Sequence, residues 1–318
     1  MGDGFYMEAV HFFEKMDDGT EIAVHRWIPD GEIKGIVQIS HGMTEHAMRY
    51  ERLGTMLAAA GYVCNAHDHR GHGRTAQRAV EKGTGMFGYL AEHDGFTRVT
   101  DDLHAVLGSL QRAYPGKKTV LIGHSFGSFV AQSYIERYGS CIDSCILIGT
   151  AGPRRLLIAA GKMLVSGIGM FCGDKACSRL ADTVTFGTYN SRIRHPCSAH
   201  AWLNRDENMV RTYDQDPWCG FIPTISFFKD LLDGLRAIHT RQAMRSIPSE
   251  LPVYLLYGGD DPVGGYGKTV RKLYRCYISN GMSRVQLKCY PGARHEILHE
   301  LNKNEVFEDI LDWIHKTL

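Results

Sequence analysis

Hydrophobic and polar positions alternate in two short stretches near the start of the chain, residues 9–15 and 21–28. Asp17, Asp18 and Gly19 separate the two stretches, so the pattern predicts a β-hairpin. Farther along, apolar runs of strand length alternate with stretches of helical periodicity. The predicted strands are residues 36–40, 62–66, 119–122, 144–148, 253–257 and 285–290, and the predicted helices are 49–60, 97–114, 128–138, 266–280 and 304–316. This order predicts an α/β fold with a mostly parallel sheet and helices on both faces.

The alternation stops between residues 149 and 221, where apolar and aromatic residues occur without a strand-like run. An insertion at this point would cover the carboxyl edge of the sheet, where open α/β proteins bind ligands. We therefore predict one core in two parts, residues 1–150 and 226–318, and a helical cap over residues 151–225. We expect some cap aromatics to line an apolar tunnel and others to hold the cap together. They are Phe171, Phe186, Tyr189, Trp202, Tyr213, Trp218 and Phe221.

Five basic residues also fall within the predicted cap: Arg154, Arg155, Arg192, Arg194 and His195. We expect most of these basic side chains to lie on a solvent-exposed face of the cap. Such a group could also meet an anionic head group, so transient contact between the cap and a membrane surface is a predicted interaction.

The sequence Gly123-His124-Ser125-Phe126-Gly127 fits Gly-x-Ser-x-Gly and lies between a predicted strand and a predicted helix. A sharp strand-to-helix turn projects the central hydroxyl above the sheet, and the flanking glycines allow backbones to approach closely. The alternative is a serine in an ordinary βα turn. The context favours Ser125 as a nucleophile.

A serine hydroxyl needs a base to take its proton and an acid to orient that base, in the chain order Ser, acid, His. Two adjacent aspartates, Asp260 and Asp261, follow the predicted strand 253–257, and one of them is expected to be only a turn residue. His295 follows the predicted strand 285–290 and is the candidate base. His299, one helical turn later, is the alternative and is expected on a solvated helix face.

Stabilising a tetrahedral oxyanion needs two backbone N–H groups. One is expected from Phe126, the residue after the nucleophile, and the other from the loop after the strand 36–40. Met43 in that loop is the candidate second donor. Its side chain would then line the acyl pocket or fill space, and the sequence leaves both open.

Several segments together resemble the monoacylglycerol lipases and bacterial lysophospholipase-like hydrolases, which are related to the serine aminopeptidases. Residues 41–46 and Arg49-Tyr50 resemble the oxyanion loop of that family, and residues 67–75 resemble its Asp-x-Arg-Gly-His-Gly loop. Residues 123–127 match its nucleophile turn and 292–295 its histidine loop, and 213–217 is similar to a cap segment. The matches run in order from about residue 35 to 300.

The resemblance implies an α/β-hydrolase fold with a mobile cap, a serine hydrolase activity and no cofactor. It favours Asp261 over Asp260, because the acid in related hydrolases stands three residues after the first glycine. The implied catalytic residues are Ser125, Asp261 and His295, with the N–H groups of Met43 and Phe126 as the oxyanion hole. Met43 departs from the smaller residue of mammalian monoacylglycerol lipases, which leaves the acyl-chain preference open.

Composition and charge exclude several other classes of protein. The chain has 318 residues and a formal net charge of +1, without a basic stripe with interleaved aromatics, so nucleic acid is not an expected partner. Residues 1–4 lack the features of a signal peptide or a myristoylation site, and apolar runs are expected to stop well short of a bilayer span.

The nine cysteines include no Cys-x-x-Cys, which favours free thiols in a cytoplasmic compartment. Cys64 and Cys145 are expected to be buried in strands. No metal site is predicted, and residues 67–69 are interpreted as a structural turn.

The sequence therefore predicts a cytoplasmic serine hydrolase that cleaves esters of the monoacylglycerol or lysophospholipid type. A small-ester carboxylesterase, an acyltransferase and a serine aminopeptidase are alternatives, because one fold supports several chemistries. A ligand-binding protein without catalysis is the alternative of another class. A complete set of Ser, Asp and His argues against it.

Overall fold

The computed structural model describes residues 8–318, and its centre is a sheet of eight strands. The strands are β1 (Glu8–Lys15), β2 (Glu21–Ile28), β3 (Gly35–Ser40), β4 (Tyr62–His67), β5 (Thr119–His124), β6 (Ser144–Ile148), β7 (Val253–Gly258) and β8 (Val285–Tyr290). Their order across the sheet is β1-β2-β4-β3-β5-β6-β7-β8. Residues 1–4, considered above for targeting signals, lie outside the described part.

Only the first two strands depart from parallel pairing. β1 and β2 form the predicted hairpin, and β2 also runs antiparallel to β4. The other pairs are all parallel, as the alternation of strands and helices predicts. The loops after β3, β5, β7 and β8 therefore emerge at one edge of the sheet, where all the predicted site residues lie.

Eleven α-helices accompany the sheet within residues 8–318. They are α1 (Glu51–Ala59), α2 (Gly73–Glu81), α3 (Gly95–Ala113), α4 (Phe126–Tyr138), α5 (Arg155–Cys172), α6 (Arg179–Phe186), α7 (Glu207–Gln215), α8 (Ile225–Ile238), α9 (Arg241–Arg245), α10 (Lys268–Ser279) and α11 (Lys303–Thr317). Three of them, α2, α8 and α9, are absent from the sequence prediction.

The apolar core is divided by the sheet into two layers. One layer packs β-strand side chains against α3, α4, α8 and α10, and the other packs them against α1 and α11. Cys64 and Cys145 are fully buried in β4 and β6, which confirms the prediction for both. Because both faces are covered, strands β3 to β7 are buried along their whole length.

Between β6 and α8 the chain forms α5, α6 and α7 over the carboxyl edge of the sheet. A separate apolar cluster of Val165, Ala181, Ile225 and Phe228 holds α5 and α6 to α8. Helix α8 also contributes Phe227 to the main core. It therefore joins these helices to the rest of the protein.

The outer surface of α5 is unusually apolar. Its exposed large apolar side chains are Leu156, Leu157, Met163, Leu164, Met170 and Phe171. Within residues 8–318, α5 is the one helix long and apolar enough to cross a bilayer by length and composition, with 18 residues and mean hydropathy 1.5. The expectation that apolar runs stop well short of a bilayer span is therefore wrong for α5.

Candidate active site

Ser125 lies at the turn between β5 and α4, where its backbone has φ 52° and ψ −119°. Such a conformation costs a residue with a Cβ on the order of 1–3 kcal/mol. The Ser125 N–H donates to the carbonyl of Ile148 (2.9 Å), and the Ser128 hydroxyl donates to the Ser125 carbonyl (2.5 Å). A Cβ on Gly127 would lie 2.1 Å from the carbonyl oxygen of Ser40, so this position requires glycine. These contacts hold Ser125 at the wall of a cavity.

The structure brings Asp261, and not Asp260, to His295. Nδ1 of His295 donates to Oδ2 of Asp261 at 3.0 Å, and both side chains are buried. Oδ1 of Asp261 accepts the Val263 N–H at 2.8 Å, which fixes the carboxylate. Asp260 is exposed, and its backbone N–H donates to the carbonyl of Ala293. The imidazole is thus oriented through Nδ1, which leaves Nε2 for other partners.

Nε2 of His295 is buried and has no hydrogen-bond partner among residues 8–318. Burial alone would lower the pKa of this imidazole. The charge and hydrogen bond of Asp261 outweigh burial, so the pKa of His295 is raised above its usual value of 6.5. A raised pKa makes this imidazole a stronger base toward a hydroxyl group in the cavity.

Two backbone N–H groups at the cavity wall are unused. Those of Met43 and Phe126 donate to no acceptor within residues 8–318, and both residues line the same cavity as Ser125 and His295. Phe126 opens α4, and the first N–H groups of a helix have no partner within it. Met43 lines the cavity, and its side chain packs against the core.

A buried ion-pair cluster of Glu45, Arg49 and Glu296 joins two loops of the site. Arg49 binds Glu45 on the loop after β3, and its Nη1 and Nη2 donate to Glu296 at 2.5 and 2.9 Å. The Gly42 N–H donates to Glu45 at 2.5 Å, and Glu296 directly follows His295. Burial opposes ionisation, but Arg49 holds the pKa of Glu45 well below its usual value. The cluster therefore fixes the loop carrying Met43 relative to His295.

Further contacts extend this ion-pair cluster towards the nucleophile turn. The Tyr50 hydroxyl donates to Glu45 at 2.6 Å and lies 2.7 Å from Nδ1 of His124, which precedes Ser125. His299 belongs to the same network, because its Nε2 donates to the carbonyl of Arg49 at 2.9 Å. The expectation of a solvated helix face is wrong for His299. It lies half-buried in a turn before α11, held by that carbonyl.

His67 ends β4, and Asp68 and His69 lie in the short loop that leads to α2. The Asp68 carboxylate accepts the backbone N–H groups of Ala47 and Arg74, each at 2.7 Å. Its backbone carbonyl accepts the Thr75 hydroxyl at 2.8 Å. These bonds support the interpretation of the segment as a structural turn beside the site.

The cavity above Ser125 has a volume of about 470 Å³, which suits a small organic molecule. Five of the predicted aromatics line it: Phe186, Tyr189, Trp202, Tyr213 and Phe221. The Trp202 ring lies 5.1 Å from that of His295, measured between ring centres. The other two point elsewhere, since Phe171 is 91% exposed and Trp218 packs on the ring of His46.

One cavity residue gives no signal in the sequence. His239 follows α8, is 3% exposed and lines the cavity, yet neither ring nitrogen makes a hydrogen bond within residues 8–318. Burial lowers its pKa to about 4, so the ring is uncharged at neutral pH. Sequence reasoning missed it because α8, which positions it, was not predicted.

The sheet order, the strained serine turn and the covering helices define the α/β-hydrolase class, so the fold predicted from the sequence is confirmed. The family model described as serine aminopeptidase, S33, matches residues 31–302. The chain belongs to this family of hydrolases, as its resemblance to the monoacylglycerol-lipase-like enzymes implies.

Individual relatives cover nearly the whole chain. A monoacylglycerol lipase of Mycolicibacterium smegmatis is 26% identical, with 93% of each chain aligned. A human monoglyceride lipase is 27% identical over 93% of this chain and 88% of its own. Among solved structures, a thermostable carboxyl esterase from Bacillus coagulans is 26% identical and superimposes with a TM-score of 0.86 over 98% of both chains.

Proposed function

We propose that this hydrolase is a serine esterase that cleaves carboxylic esters of lipid-like substrates, of the monoacylglycerol or lysophospholipid type, through an acyl-enzyme. The observation that carries the proposal is that His295, paired with the buried Asp261, lines the same cavity as Ser125 and two residues whose backbone N–H groups have no acceptor within residues 8–318. No other group in that cavity combines a nucleophile held by a strained turn with an oriented base.

In the proposed mechanism Ser125 attacks the ester carbonyl while Nε2 of His295 takes its proton. Asp261 keeps the imidazole in the tautomer that exposes Nε2 and stabilises the imidazolium. The N–H groups of Met43 and Phe126 bind the oxyanion. His295 then protonates the leaving alcohol and activates the water that hydrolyses the acyl-enzyme.

The cavity walls favour an apolar acyl group. Leu157, Ile158, Leu164 and Val165 of α5 line it together with the five aromatics named above. Each methylene buried against such walls contributes about 0.8 kcal/mol. Relatives named monoacylglycerol lipase and monoglyceride lipase support the same substrate class.

We also propose that residues 151–225 act as a cap whose exposed α5 surface meets a lipid aggregate or membrane transiently. The exposed Arg155 at the start of α5 adds a positive charge beside these apolar side chains, which suits anionic head groups. Because all nine cysteines are free, we propose a reducing, cytoplasmic compartment.

A small-ester carboxylesterase is the second candidate, because the half-buried Met43 lines the cavity together with Ser125, and a long side chain beside the oxyanion donors would shorten the acyl pocket. Two measurements test the proposal. A fluorophosphonate probe should label the wild type but not folded Ser125→Ala, and a chain-length series of monoacylglycerols and p-nitrophenyl esters should show higher kcat/KM for medium and long chains. Labelling retained in Ser125→Ala would refute the nucleophile. Fastest turnover of acetyl and butyryl esters would identify the second candidate.

A further inference from the structure

Three metal-ligand side chains meet between the loop after β3 and the segment that follows α7. Nε2 of His46 lies 2.9 Å from Oδ2 of Asp216, and one ligand atom from each of His46, Asp216 and Cys219 lies within 4.8 Å of the other two. His46 is buried and the other two are half-buried. Imidazole, carboxylate and thiolate are the ligands that zinc prefers.

The local backbone places two of these ligands together in one turn. The N–H of Cys219 donates to the Asp216 carbonyl at 3.0 Å, and the N–H of Trp218 donates to Oδ1 of Asp216 at 2.9 Å. Oδ1 is thereby occupied, which leaves Oδ2 facing His46. A further hydrogen bond fixes this turn to the loop after β3, because the Gly220 N–H donates to the Thr44 carbonyl at 3.0 Å.

The charges around this cluster favour a cation. Arg49 is the cation of the ion-pair cluster, while Glu45, Glu296 and Asp216 supply three carboxylates. A divalent ion would offset the excess negative charge of this half-buried region. Burial raises the pKa of the Cys219 thiol, and Arg49 opposes this rise only in part, so the thiol keeps its proton until an ion displaces it.

We propose that His46, Asp216 and Cys219 form a binding site for a zinc-type divalent ion, and that the bound ion slows hydrolysis. On binding, the Cys219 thiol releases its proton to solvent and the three side chains donate electron pairs to the ion, with water in the fourth position. A soft thiolate ligand selects zinc over magnesium or calcium. The second half of this proposal rests on the proposed esterase function, whereas the first half does not.

The geometry explains why the ion would inhibit. Two ligands bound tetrahedrally at about 2.0 Å stand about 3.3 Å apart. His46 and Asp216, now 2.9 Å apart, must therefore separate. His46 is three residues from Met43, the proposed oxyanion donor. Displacement of a catalytic group by 1 Å costs up to about a hundredfold in rate, so a smaller shift here gives a partial loss.

Metal binding is measured on the full-length Ser125→Ala protein, so that the result does not depend on hydrolysis. Calorimetry with zinc chloride should show a single bound ion, and cobalt(II) should give a thiolate charge-transfer band. Magnesium chloride should give neither. Cys219→Ala and Asp216→Asn should each weaken zinc binding at least about tenfold, since even outer-shell changes at zinc sites cost that much.

Matched controls exist on the same chain. Asp214 pairs with His200 at 2.6 Å and is not one of the three grouped ligands, and Cys276 is a half-buried thiol on α10. Asp214→Asn and Cys276→Ala should bind zinc like the parent. The site would be overturned if the parent bound no zinc, or if the Cys219 and Asp216 variants bound zinc as tightly as the parent. It would also be overturned if the two control variants lost as much affinity as the site variants.

The inhibitory half is tested with wild type and p-nitrophenyl butyrate. Zinc should lower kcat, and EDTA should restore it. The kcat of Cys219→Ala should change little when zinc is added, compared with the kcat of the same variant without metal. Zinc binding without a change in kcat would overturn inhibition while leaving the site. A wild type that is inactive without zinc, and is not labelled by a fluorophosphonate, would instead count against the proposed esterase function.

Discussion

The guanidinium of Arg49 binds the carboxylate of Glu296 through two N–H groups, at 2.5 and 2.9 Å, across 247 residues of sequence. Glu296 directly follows His295 in the chain, and its backbone N–H donates to the carbonyl of Leu203 at 2.8 Å. The residue next to the candidate base is therefore held from two sides. We therefore expect the orientation of His295 to depend on this bond as well as on Asp261.

Removing the Arg49 side chain should damage both stability and turnover. Arg49→Ala leaves two buried carboxylates without their cation, and breaking a buried ion pair costs about 3–5 kcal/mol. Thermal unfolding and kcat/KM measure the two effects. Arg211→Ala is the matched control, because its pair with Glu207 is exposed and such pairs contribute about 0–1 kcal/mol. Equal unfolding temperatures for the two variants would contradict the assignment.

Asp261→Asn should reduce kcat far more than Asp260→Asn. Only Asp261 contacts His295, and an amide at this position can favour the wrong tautomer, with losses of up to about ten-thousandfold. Asp260 is exposed, so its amide variant should remain close to wild type. The comparison uses one ester substrate and confirms folding by circular dichroism. A nearly normal Asp261→Asn enzyme would show that this carboxylate does not orient the base.

The activity should rise with pH to a plateau as His295 loses its proton. The base must be neutral to accept the serine proton, and the pKa of His295 is raised above 6.5, so the midpoint should also lie above 6.5. The readout is kcat/KM on an ester that does not ionise. In the residual activity of Asp261→Asn, the midpoint should move down. A profile that is flat through the histidine range would exclude His295 as the base.

The protein should lose stability as the pH falls below about 6.5. Burial lowers the pKa of His41 to about 3 and the pKa values of His67 and His72 to about 4. Below pH 6.5 the unfolded chain binds protons that the folded chain does not, so each such histidine lowers stability by up to about 1.4 kcal/mol per pH unit. This loss continues until the pH reaches the folded pKa values, about 4 for His67 and His72 and about 3 for His41.

Denaturant unfolding at several pH values measures this slope. His72→Asn should make it shallower by up to one proton, even if the variant is less stable at neutral pH. His93 is exposed, so His93→Asn should leave the slope unchanged. A stability that stays constant between pH 7 and pH 5 would contradict the neutral buried histidines.

Charge on the outer surface of α5 should weaken binding to lipid. Met170 and Phe171 are 85% and 91% exposed, so Met170→Glu with Phe171→Glu should not disturb the fold. Binding to vesicles that contain anionic lipid should fall, whereas kcat on a soluble ester should stay the same. Val80→Glu on α2 is the control, because Val80 is 50% exposed outside the cap. Unchanged vesicle binding by the α5 variant would refute the membrane contact.

The sequence predicts the strands well because their side chains are buried on both faces. Predicted strands 62–66 and 144–148 agree with β4 and β6 to within one residue. Helix α2 was missed, since it begins at Gly73 in a turn held by Asp68 and few of its residues are apolar. Helix α8 was missed because its apolar residues continue directly from the insertion.

In the candidate site, likewise, only the residues with a local sequence signal could be predicted. Ser125 and His295 could be predicted because each stands at the end of a strand with a local motif. The partnership of Arg49 with Glu296 could not, since local patterns carry no information on contacts 247 residues apart. Cys219 and His46 are likewise brought together only by the folding of the insertion onto the loop after β3.

Hydrogen bonds join residues 201–205 of the insertion to the core beside His295, and this limits which part of the insertion can be exchanged. Arg294 donates to the carbonyls of Ala201 and Asn204, and Arg205 pairs with Glu300, which also accepts the Arg294 N–H. A chimera that takes residues 151–225 from a relative would lose the Arg205–Glu300 pair unless position 205 were again a cation, and it would keep the bonds from Arg294 only if residues 201 and 204 followed the same backbone path. Recombination should therefore preserve activity only if the crossover keeps residues 201–205 with their native partners, so that α5 and α6 become the exchangeable unit.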